Sequence, residues 1–197
     1  MTTIPEDTAY YLYRNRNNKW ERKGTNYQSF KDLHLLDFNS NKALLQEKYN
    51  PYKLYLYEDS QGSKKELILE DRSGVEDAKF WDKEKIILLS QDKNNRGTIQ
   101  ICEISRKKCE DKKITINEFN DSPNIILSPS RKYLALKYTL DDKTTTIRVW
   151  KINNNDEFQE ITDNLEELKK RKPGTVINSA TFLESGKDTE LIVIKNP

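Results

Sequence analysis

Apolar residues along the chain occur in short runs or alternate with polar residues, and none of the runs is long. The runs are rich in Ile, Leu, Val and Tyr and are bounded by Asn, Asp, Gly, Ser or Pro, a pattern that predicts β-strands. The predicted strands span residues 54–58, 66–70, 85–90, 98–104, 113–119, 132–138, 146–152 and 190–195. Strands that are so short and so numerous indicate an all-β fold, which could be a sandwich, a barrel or a propeller.

One segment, DNLEELKKRKPG at residues 163–174, departs from this pattern and predicts a short helix. Asp163 can cap the N-terminus of this helix, and Glu166 lies three residues later, as in a capping box. Pro173 and Gly174 would end it, and its acidic residues precede its basic ones, which suits the helix dipole. We therefore expect one short helical insertion between two strands.

The chain contains four similar segments. Each begins with a short strand that ends in an apolar residue, followed by a polar turn that carries Lys and then by a second apolar strand. The four apolar residues are Phe38, Phe80, Leu127 and Phe182, which are separated by 42, 47 and 55 residues. Periods of about 40–45 residues are typical of four-stranded propeller blades. We therefore expect sheets that pack face to face, with these four side chains as equivalent core residues.

The third repeat carries a family resemblance. Its segment LSPSRKYLALKYTLDDKTTTIRVWKI, residues 127–152, resembles the WD40 pattern of a strand, a Ser-Pro-x-x turn, a second strand and a third strand that ends in Trp before a charged residue. Trp150-Lys151 stands where that family usually has Trp-Asp, and the chain lacks the Gly-His dipeptide that precedes a WD40 blade. The resemblance covers roughly residues 33–197 and implies a degenerate WD40-like β-propeller, an array of about four blades.

The two ends of the chain leave the overall architecture open. Residues 9–15 and 18–24 both have the pattern of strands, and they could complete the blade that residues 190–195 begin. That pairing would close a small ring and leave no sheet edge unpaired. Alternatively, the chain is an open arc that belongs to a larger or oligomeric propeller and can self-associate through its open sheet edges. In both cases residues 1–197 form a single propeller domain or a propeller fragment. Another all-β fold is the third alternative.

The composition indicates a folded chain with a very polar surface. Hydrophobic residues make up 35% and charged residues 34%, but the chain also has ten Tyr, six Phe and three Trp, which disordered chains lack. The formal net charge of +2 gives no general attraction to nucleic acid or to an anionic membrane. No stretch approaches the roughly 18 apolar residues of a membrane-spanning helix, and the start does not have the pattern of a signal peptide. We expect a cytoplasmic protein that contacts neither a membrane nor nucleic acid.

The two cysteines, Cys102 and Cys109, are predicted to be free thiols in a reducing compartment. Cys102 alternates with apolar residues and is predicted to lie in the core, whereas Cys109 lies in RKKCE and is predicted to be exposed. A structural zinc site needs four such ligands, and this chain offers two thiols without a nearby histidine. We therefore expect no metal and no cofactor.

The sequence offers no set of residues for catalysis. His34 is the only histidine; it alternates with apolar residues and is predicted to be a packed or half-buried strand residue rather than a base. The ESGKDT stretch at 184–189 lacks the upstream glycine of a phosphate-binding loop and predicts a turn between two strands. The basic run LKKRK at 168–172 is predicted to be a solvated helix end. We therefore predict that the chain is not an enzyme.

In an up-and-down blade, the loop between the second and third strands emerges at the same end as the loop that leads to the next blade. Loops on a rigid scaffold are where binding usually occurs. The candidate interaction face at this end comprises Tyr52, Asp92, Arg96, Asp141, Lys143, Lys170 and Arg171. The predicted function is a non-catalytic protein-interaction scaffold whose protein partner the sequence does not identify. The alternative is the regulatory propeller portion of a larger hydrolase or signalling protein.

Overall fold

A computed structural model describes residues 13–16, 19–22, 33–39, 42–58, 64–70, 74–94, 96–116, 121–140, 143–164, 175–186 and 188–195. These residues form sixteen β-strands, numbered β1 to β16 in chain order, and one 3-10 turn at Thr162–Asn164. The eight strands predicted from the apolar runs are confirmed over their described residues, whereas residues 117–119 of the strand predicted at 113–119 lie outside them. The predicted helix at 163–174 falls mostly outside the described residues, and only its first two residues lie in the 3-10 turn. Within the described part of the chain, no helix has the length and apolar character needed to cross a membrane.

Three sheets contain four antiparallel strands each, and the strands of each sheet are neighbours in chain order. Sheet 1 consists of β3 (Leu33–Asn39), β4 (Lys42–Glu47), β5 (Asn50–Glu58) and β6 (Lys64–Glu70). Sheet 2 consists of β7 (Gly74–Phe80), β8 (Lys85–Gln91), β9 (Gly97–Glu103) and β10 (Lys108–Ile116). Sheet 3 consists of β11 (Asp121–Leu127), β12 (Tyr133–Thr139), β13 (Thr145–Ile152) and β14 (Phe158–Glu160).

Two further pairs of strands form hairpins at the ends of the described chain. The terminal hairpin joins β15 (Ile177–Ser185) to β16 (Asp188–Lys195) through the predicted turn, in which Gly186 has a φ of 63° that glycine adopts without strain. The N-terminal hairpin joins β1 (Tyr13–Arg16) to β2 (Lys19–Arg22). Among the described strands, β16 pairs only with β15, and β1 pairs only with β2. Of the predicted strands at residues 9–24, residues 9–12, 17–18 and 23–24 lie outside the described residues. The described residues 13–16 and 19–22 do not pair with residues 190–195, and no closed ring is found in the described part of the chain.

The sheets pack face to face in chain order. Successive side chains of a strand point to opposite faces of its sheet, so a strand between two sheets contributes to two cores. In β8, Ile86 and Leu88 pack toward sheet 1, whereas Ile87 and Leu89 pack toward sheet 3. Sheet 2 is thus buried on both faces, and the predicted face-to-face packing is confirmed.

Sheet 3 repeats this arrangement one step further along the chain. Leu134 and Leu136 of β12 pack toward sheet 2, whereas the intervening Ala135 packs toward the terminal hairpin. In this last core the ring of Phe182 lies 6.1 Å from that of Tyr133, measured between ring centroids. The apolar faces therefore follow one another without a break from sheet 1 to the terminal hairpin.

Three of the four residues predicted as equivalent core positions contribute to these cores, and one does not. Phe80 is 1% exposed, Phe182 is buried, and Leu127 packs partly buried against the core between sheets 2 and 3. Phe38 is 44% exposed, so the prediction is wrong there. Phe38 pairs with Ala43, on the face of sheet 1 opposite to the face that sheet 2 covers, and this position in the order of sheets leaves the ring accessible.

The prediction of two free thiols is also wrong, because Cys102 and Cys109 form a disulfide. The turn between β9 and β10 reverses the chain and brings the two residues directly opposite each other, with their Cα atoms 3.9 Å apart. Cys102 is buried as predicted, but Cys109 packs partly buried against the core between sheets 1 and 2 rather than being exposed. Disulfides persist mainly in oxidising compartments, so the free-thiol argument for a cytoplasmic location no longer holds.

Replacing Phe80 by alanine should destabilise the fold, whereas replacing Phe38 should have little effect. Phe80→Ala removes a fully buried ring and is expected to lower the free energy of unfolding by about 3–5 kcal/mol. Phe38→Ala, the matched control, is expected to cost less than about 1 kcal/mol, because its ring is largely in solvent. Urea denaturation measures both, and equal losses would contradict the assigned order of sheets.

Reduction of the disulfide should also lower stability. Closing a loop of this length is expected to stabilise the folded chain by about 2 kcal/mol, because the bond restricts the unfolded state. The urea concentration at the midpoint of denaturation of the wild-type chain should therefore fall when a reductant is added. A Cys102→Ala/Cys109→Ala variant should show no such shift, and a wild-type chain that is equally insensitive would contradict the disulfide.

Candidate binding groove

The three sheets and the terminal hairpin meet along their first strands. β3 contacts β7, β7 contacts β11, and β11 contacts β15. A first strand has a ladder partner on one side only, so backbone N–H groups on its other side lack a partner within their own sheet. Buried N–H groups require a partner, and here neighbouring sheets supply it.

Two aspartates provide these hydrogen bonds between sheets. The Phe80 backbone N–H on β7 donates to the Asp37 carboxylate on β3 at 2.7 Å. The Ile125 backbone N–H on β11 donates to the Asp77 carboxylate on β7, also at 2.7 Å. Hydrogen bonds to a charged acceptor are short and directional, so each carboxylate fixes how one first strand aligns with the next.

A third contact joins sheet 3 to the terminal hairpin. The Ser130 backbone N–H, in the turn after β11, donates to the Glu184 carboxylate on β15 at 2.9 Å, and the Ser130 hydroxyl donates to the same carboxylate. These hydrogen bonds hold the pKa of Glu184 below its usual value. All three junctions between neighbouring sheets thus contain a carboxylate that accepts a backbone N–H.

Asp77 is the most buried of these carboxylates, with 5% of its surface exposed. It also accepts a hydrogen bond from the Ala78 backbone N–H at 2.8 Å and lies 3.6 Å from the Lys79 ammonium. Burial raises the pKa of Asp77 to about 6, although the Lys79 charge and the backbone donors favour the ionised form. Asp77 therefore changes charge at a mildly acidic pH while it bridges two sheets.

An open groove of about 390 Å³ lies at the ends of the first strands. It is lined by residues from the three sheets and the terminal hairpin, among them Asp37, Phe38, Lys79, Asn124, Arg131 and Ala180. The Lys79 ammonium is already occupied, because it donates to the Leu36 carbonyl at 2.7 Å and pairs with Asp77.

Among the described residues of the groove, Arg131 has a side chain with unused hydrogen-bonding capacity. Its guanidinium carries five N–H donors and is half-buried, and among the described residues its electrostatic neighbours are the charges of Asp37 and Asp82, with no side-chain hydrogen bond or ion pair. Burial lowers the pKa of Arg131, and the charges of Asp37 and Asp82 partly oppose this effect. The side chain therefore offers a partly desolvated cation to any acceptor that enters the groove.

The backbone of Arg131 is also unusual. Its φ is 62°, in the left-handed region that a non-glycine residue adopts at a cost of about 1–2 kcal/mol. The turn is fixed by the Arg131 N–H, which donates to the Ser128 carbonyl at 2.9 Å, and by the Tyr133 N–H, which donates to the Ser128 hydroxyl at 3.1 Å. Ser128 is fully buried, so the turn holds the start of the Arg131 side chain in one position at the groove.

The interaction face predicted from the sequence lies at the opposite end of the sheets. Its loops join the second and third strands, whereas the groove lies where the first strands end. Tyr52 at the start of β5 is exposed, and Lys143 occupies a left-handed position with a φ of 64° in the loop before β13. Asp141, Lys170 and Arg171 of this face lie outside the described residues.

Within this face, the structure brings Asp92 and Arg96 together in one loop. The Asp92 carboxylate accepts hydrogen bonds from the Asn94 N–H at 2.8 Å and the Arg96 N–H at 3.0 Å. These hydrogen bonds hold the pKa of Asp92 below its usual value. The Asp92 carboxylate thus shapes the loop, whereas the Arg96 side chain is exposed.

Sequence reasoning did not single out Asp37, Lys79 or Arg131 of the groove, and it misjudged His34. His34 lies on β3 as predicted, but its side chain is exposed rather than packed. Asp37 and Asp77 could have been singled out, because each is a carboxylate in a short first strand that also supplies core residues. Among the described residues, no group of three or more His, Cys, Asp or Glu side chains could hold a metal ion.

Comparison with known proteins supports the fold without assigning a function. The chain matches no known protein family and no curated protein. It is similar to the crystal structure of TolB from Acinetobacter baumannii, with a TM-score of 0.55 and 12% identity over 97% of this chain and 47% of TolB. It is also similar to the uncharacterized protein lmo1340 from Listeria monocytogenes EGD-e, with a TM-score of 0.50 and 14% identity over 84% of this chain and 55% of that one. The chain thus spans about half the length of each structure.

The fold and these comparisons define the chain as an all-β protein of several antiparallel sheets. TolB is a β-propeller protein, so the similarity supports a propeller-like fold. At such low sequence identity the likeness concerns the fold alone.

Replacing Asp77 by asparagine should change how stability depends on pH. Because the folded-state pKa of Asp77 is about 6, above its usual 3.8, the folded chain retains a proton that the unfolded chain loses between these values. As the pH rises from 4 to 7, the free energy of unfolding of the wild-type chain should therefore fall by up to about 3 kcal/mol relative to that of Asp77→Asn.

The test is urea denaturation of both chains at a series of pH values. The difference between them isolates Asp77, because Glu76, whose pKa burial also raises, is present in both. The burial of this carboxylate would be contradicted if the difference in free energy of unfolding stayed constant with pH. It would also be contradicted if the wild-type chain gained stability relative to Asp77→Asn as the pH rises.

Proposed function

We propose that the sheets are the blades of a degenerate WD40-like β-propeller, arranged as an open arc, and that the chain is a non-catalytic protein-interaction scaffold. The order of the sheets, the contacts between their first strands and the burial of both faces of sheets 2 and 3 support this assignment. Sheets that are stacked in this way around their first strands are typical of propeller architecture.

The proposed binding site is the groove at the ends of the first strands, and its ligand is an extended acidic peptide segment of a partner protein. The observation that carries this proposal is the half-buried Arg131 guanidinium, which has no hydrogen-bond or ion-pair partner among the described residues. A guanidinium and a carboxylate can form two parallel hydrogen bonds with each other. Such charged pairs are stronger than hydrogen bonds between neutral groups. An Asp or Glu side chain, or a C-terminal carboxylate, fits this chemistry.

Phe38 favours a peptide over a small anion. Its exposed ring lies at the groove together with Arg131, so a ligand can contact an apolar surface and a cation at once. Exposed aromatic and arginine side chains are enriched where protein interfaces gain most of their energy. A peptide with an acidic residue near an apolar one would use both groups.

The alternative function is that of a regulatory propeller portion within a larger hydrolase or signalling protein. The observation that favours it is that the chain spans about half the length of the structures it resembles. The two functions differ in what the isolated chain does. A scaffold binds its peptide without the remainder of a larger protein, whereas a regulatory portion acts only beside a catalytic domain.

Selection from a display library of random peptides tests the proposed groove. Wild-type protein should enrich sequences that carry Asp or Glu, and the selected peptides should bind Arg131→Gln roughly tenfold to a hundredfold more weakly, which corresponds to about 1.5–3 kcal/mol for a charge-assisted hydrogen bond. Arg131→Lys keeps the charge but loses the planar guanidinium that donates two parallel hydrogen bonds, so this variant should bind the selected peptides with intermediate affinity.

The matched control is Arg106→Gln, which changes the net charge equally. Arg106 is strongly exposed and pairs at the surface with Glu103, outside the groove. Equal losses in Arg131→Gln and Arg106→Gln, or selected peptides without acidic residues, would refute the groove. Loss of binding in Tyr52→Ala or Arg96→Gln, with Arg131→Gln unaffected, would instead assign binding to the face predicted from the loops.

A further inference from the structure

The Asp77 carboxylate contacts three residues that line the groove. It accepts hydrogen bonds from the Ile125 backbone N–H at 2.7 Å and from the Asn124 side-chain amide at 3.5 Å. It also lies 3.6 Å from the Lys79 ammonium. Asp77 itself is almost completely buried and lies behind these residues rather than among those that line the groove. A change in the charge of Asp77 therefore reaches the groove through direct contacts.

The Lys79 ammonium connects Asp77 with the groove. Lys79 follows Asp77 by two positions on β7, so both side chains lie on the same face of sheet 2. The ammonium also donates to the Leu36 carbonyl on β3 at 2.7 Å, and this hydrogen bond holds it at the groove. While Asp77 is ionised, its negative charge compensates that of Lys79, so Lys79 attracts an anion in the groove only weakly. Protonation of Asp77 removes this compensation, while the hydrogen bond to Leu36 still holds the ammonium in place.

Among the described residues, the elements packed around Asp77 contribute few other charges. The neighbouring strands contribute uncharged groups, which are those of Leu89 on β8 and of Asn124 and Ile125 on β11. β4 and β5 pack against the other face of β7, in the core between sheets 1 and 2. The charged side chains of neighbouring elements at the groove are Asp37 on β3 and Arg131 in the turn after β11. Lys79 is thus the charge that acts most strongly on Asp77.

We propose that protonation of Asp77 switches the groove to a state that binds acidic segments more tightly. The inference rests on the proposed function of the groove and adds the condition under which the groove binds best. Among the described residues that line the groove, Asp37 is negative and Lys79 and Arg131 are positive. Ionised Asp77 balances this sum, whereas protonated Asp77 leaves one positive charge in excess. A carboxylate of the ligand then meets two cations that are opposed by one anion, and it is held more strongly.

The switch operates at a mildly acidic pH. Because burial raises the pKa of Asp77 to about 6, the carboxylate is mostly ionised at about pH 7.5 and mostly protonated at about pH 5.5. The Asp and Glu side chains of a peptide have pKa values near 4 and stay mostly ionised over this range. A ligand that binds the protonated form of Asp77 more tightly must also cause the chain to take up protons when it binds, since the two equilibria are linked.

Isothermal titration calorimetry of the full chain tests the proposal. The probe is the acidic peptide that the display selection enriches most, and the same peptide with Asn and Gln in place of Asp and Glu is the control for charge. The wild-type chain should bind the acidic probe about threefold to tenfold more tightly at about pH 5.5 than at about pH 7.5. Titrations in buffers of different ionisation enthalpy should show that a fraction of a proton is taken up at about pH 6.5.

Two variants remove the switch in different ways. Asp77→Asn carries no charge at either pH, so it should bind the probe at both pH values as tightly as the wild-type chain does at about pH 5.5. Lys79→Gln deprives the buried Asp77 carboxylate of the cation that favours its ionised form. In Lys79→Gln the carboxylate should therefore stay protonated, and the affinity should be the same at both pH values, close to that of the wild-type chain at about pH 7.5.

Two matched controls exclude other groups that change charge in this pH range. Glu76→Gln removes the neighbouring carboxyl, whose pKa burial also raises, and His34→Gln removes the only histidine of the chain. Both variants should keep the pH effect of the wild-type chain. Circular dichroism should show that all variants are folded. If Asp77→Asn does not fold, the proton uptake of the wild-type chain and the behaviour of Lys79→Gln decide.

The outcomes distinguish a failure of the switch from a failure of the groove. If the selection enriches no acidic peptide, or if Arg131→Gln binds the probe as the wild-type chain does, the proposed function and the switch are both wrong. If binding requires Arg131 but has the same affinity at both pH values, the groove stands and the switch is wrong. The switch is also wrong if Asp77→Asn keeps the pH effect, or if binding releases protons instead of taking them up.

Discussion

The structure depends on burying both faces of its middle sheets. In β8 and β12, adjacent residues are apolar without exception from Ile86 to Leu89 and from Leu134 to Leu136, because each strand supplies two cores. A sheet with this pattern is stable only between two neighbours, since either bare face would expose apolar area to water. The requirement orders the sheets along the chain. Among the described residues, the exposed large apolar side chains belong to sheet 1, to its turn between β4 and β5, and to the segment from Val176 to Ile194.

Apolar packing does not by itself fix how one sheet aligns with the next, because it has little directionality. The carboxylates of Asp37 and Asp77 supply that direction, since each accepts a backbone N–H from the first strand of the following sheet. They also make the region around the first strands polar, and the groove with Arg131 opens there. The interactions that align the sheets thus lie beside the surface to which we assign binding.

The strands and their grouping could be predicted from the sequence because short apolar runs and turn residues are local signals. The exposure of Phe38 could not, since Phe38 and Phe80 have the same local pattern and differ only in whether a sheet covers them. The disulfide depends on the register of β9 and β10, which spacing alone does not give. Arg131 lies in a turn that the sequence did predict, but its left-handed backbone and the surrounding groove arise from the packing of separate sheets.

Site-resolved hydrogen exchange of the Phe80 and Ile125 amides tests the stacking of sheets most directly. Both N–H groups donate to a carboxylate of a neighbouring sheet, so only contact between sheets can protect them. The account predicts that they exchange about as slowly as the buried amides of β8 and β12. Exchange at the rate of an exposed strand edge would show that the sheets do not meet along their first strands, and the account would then be wrong.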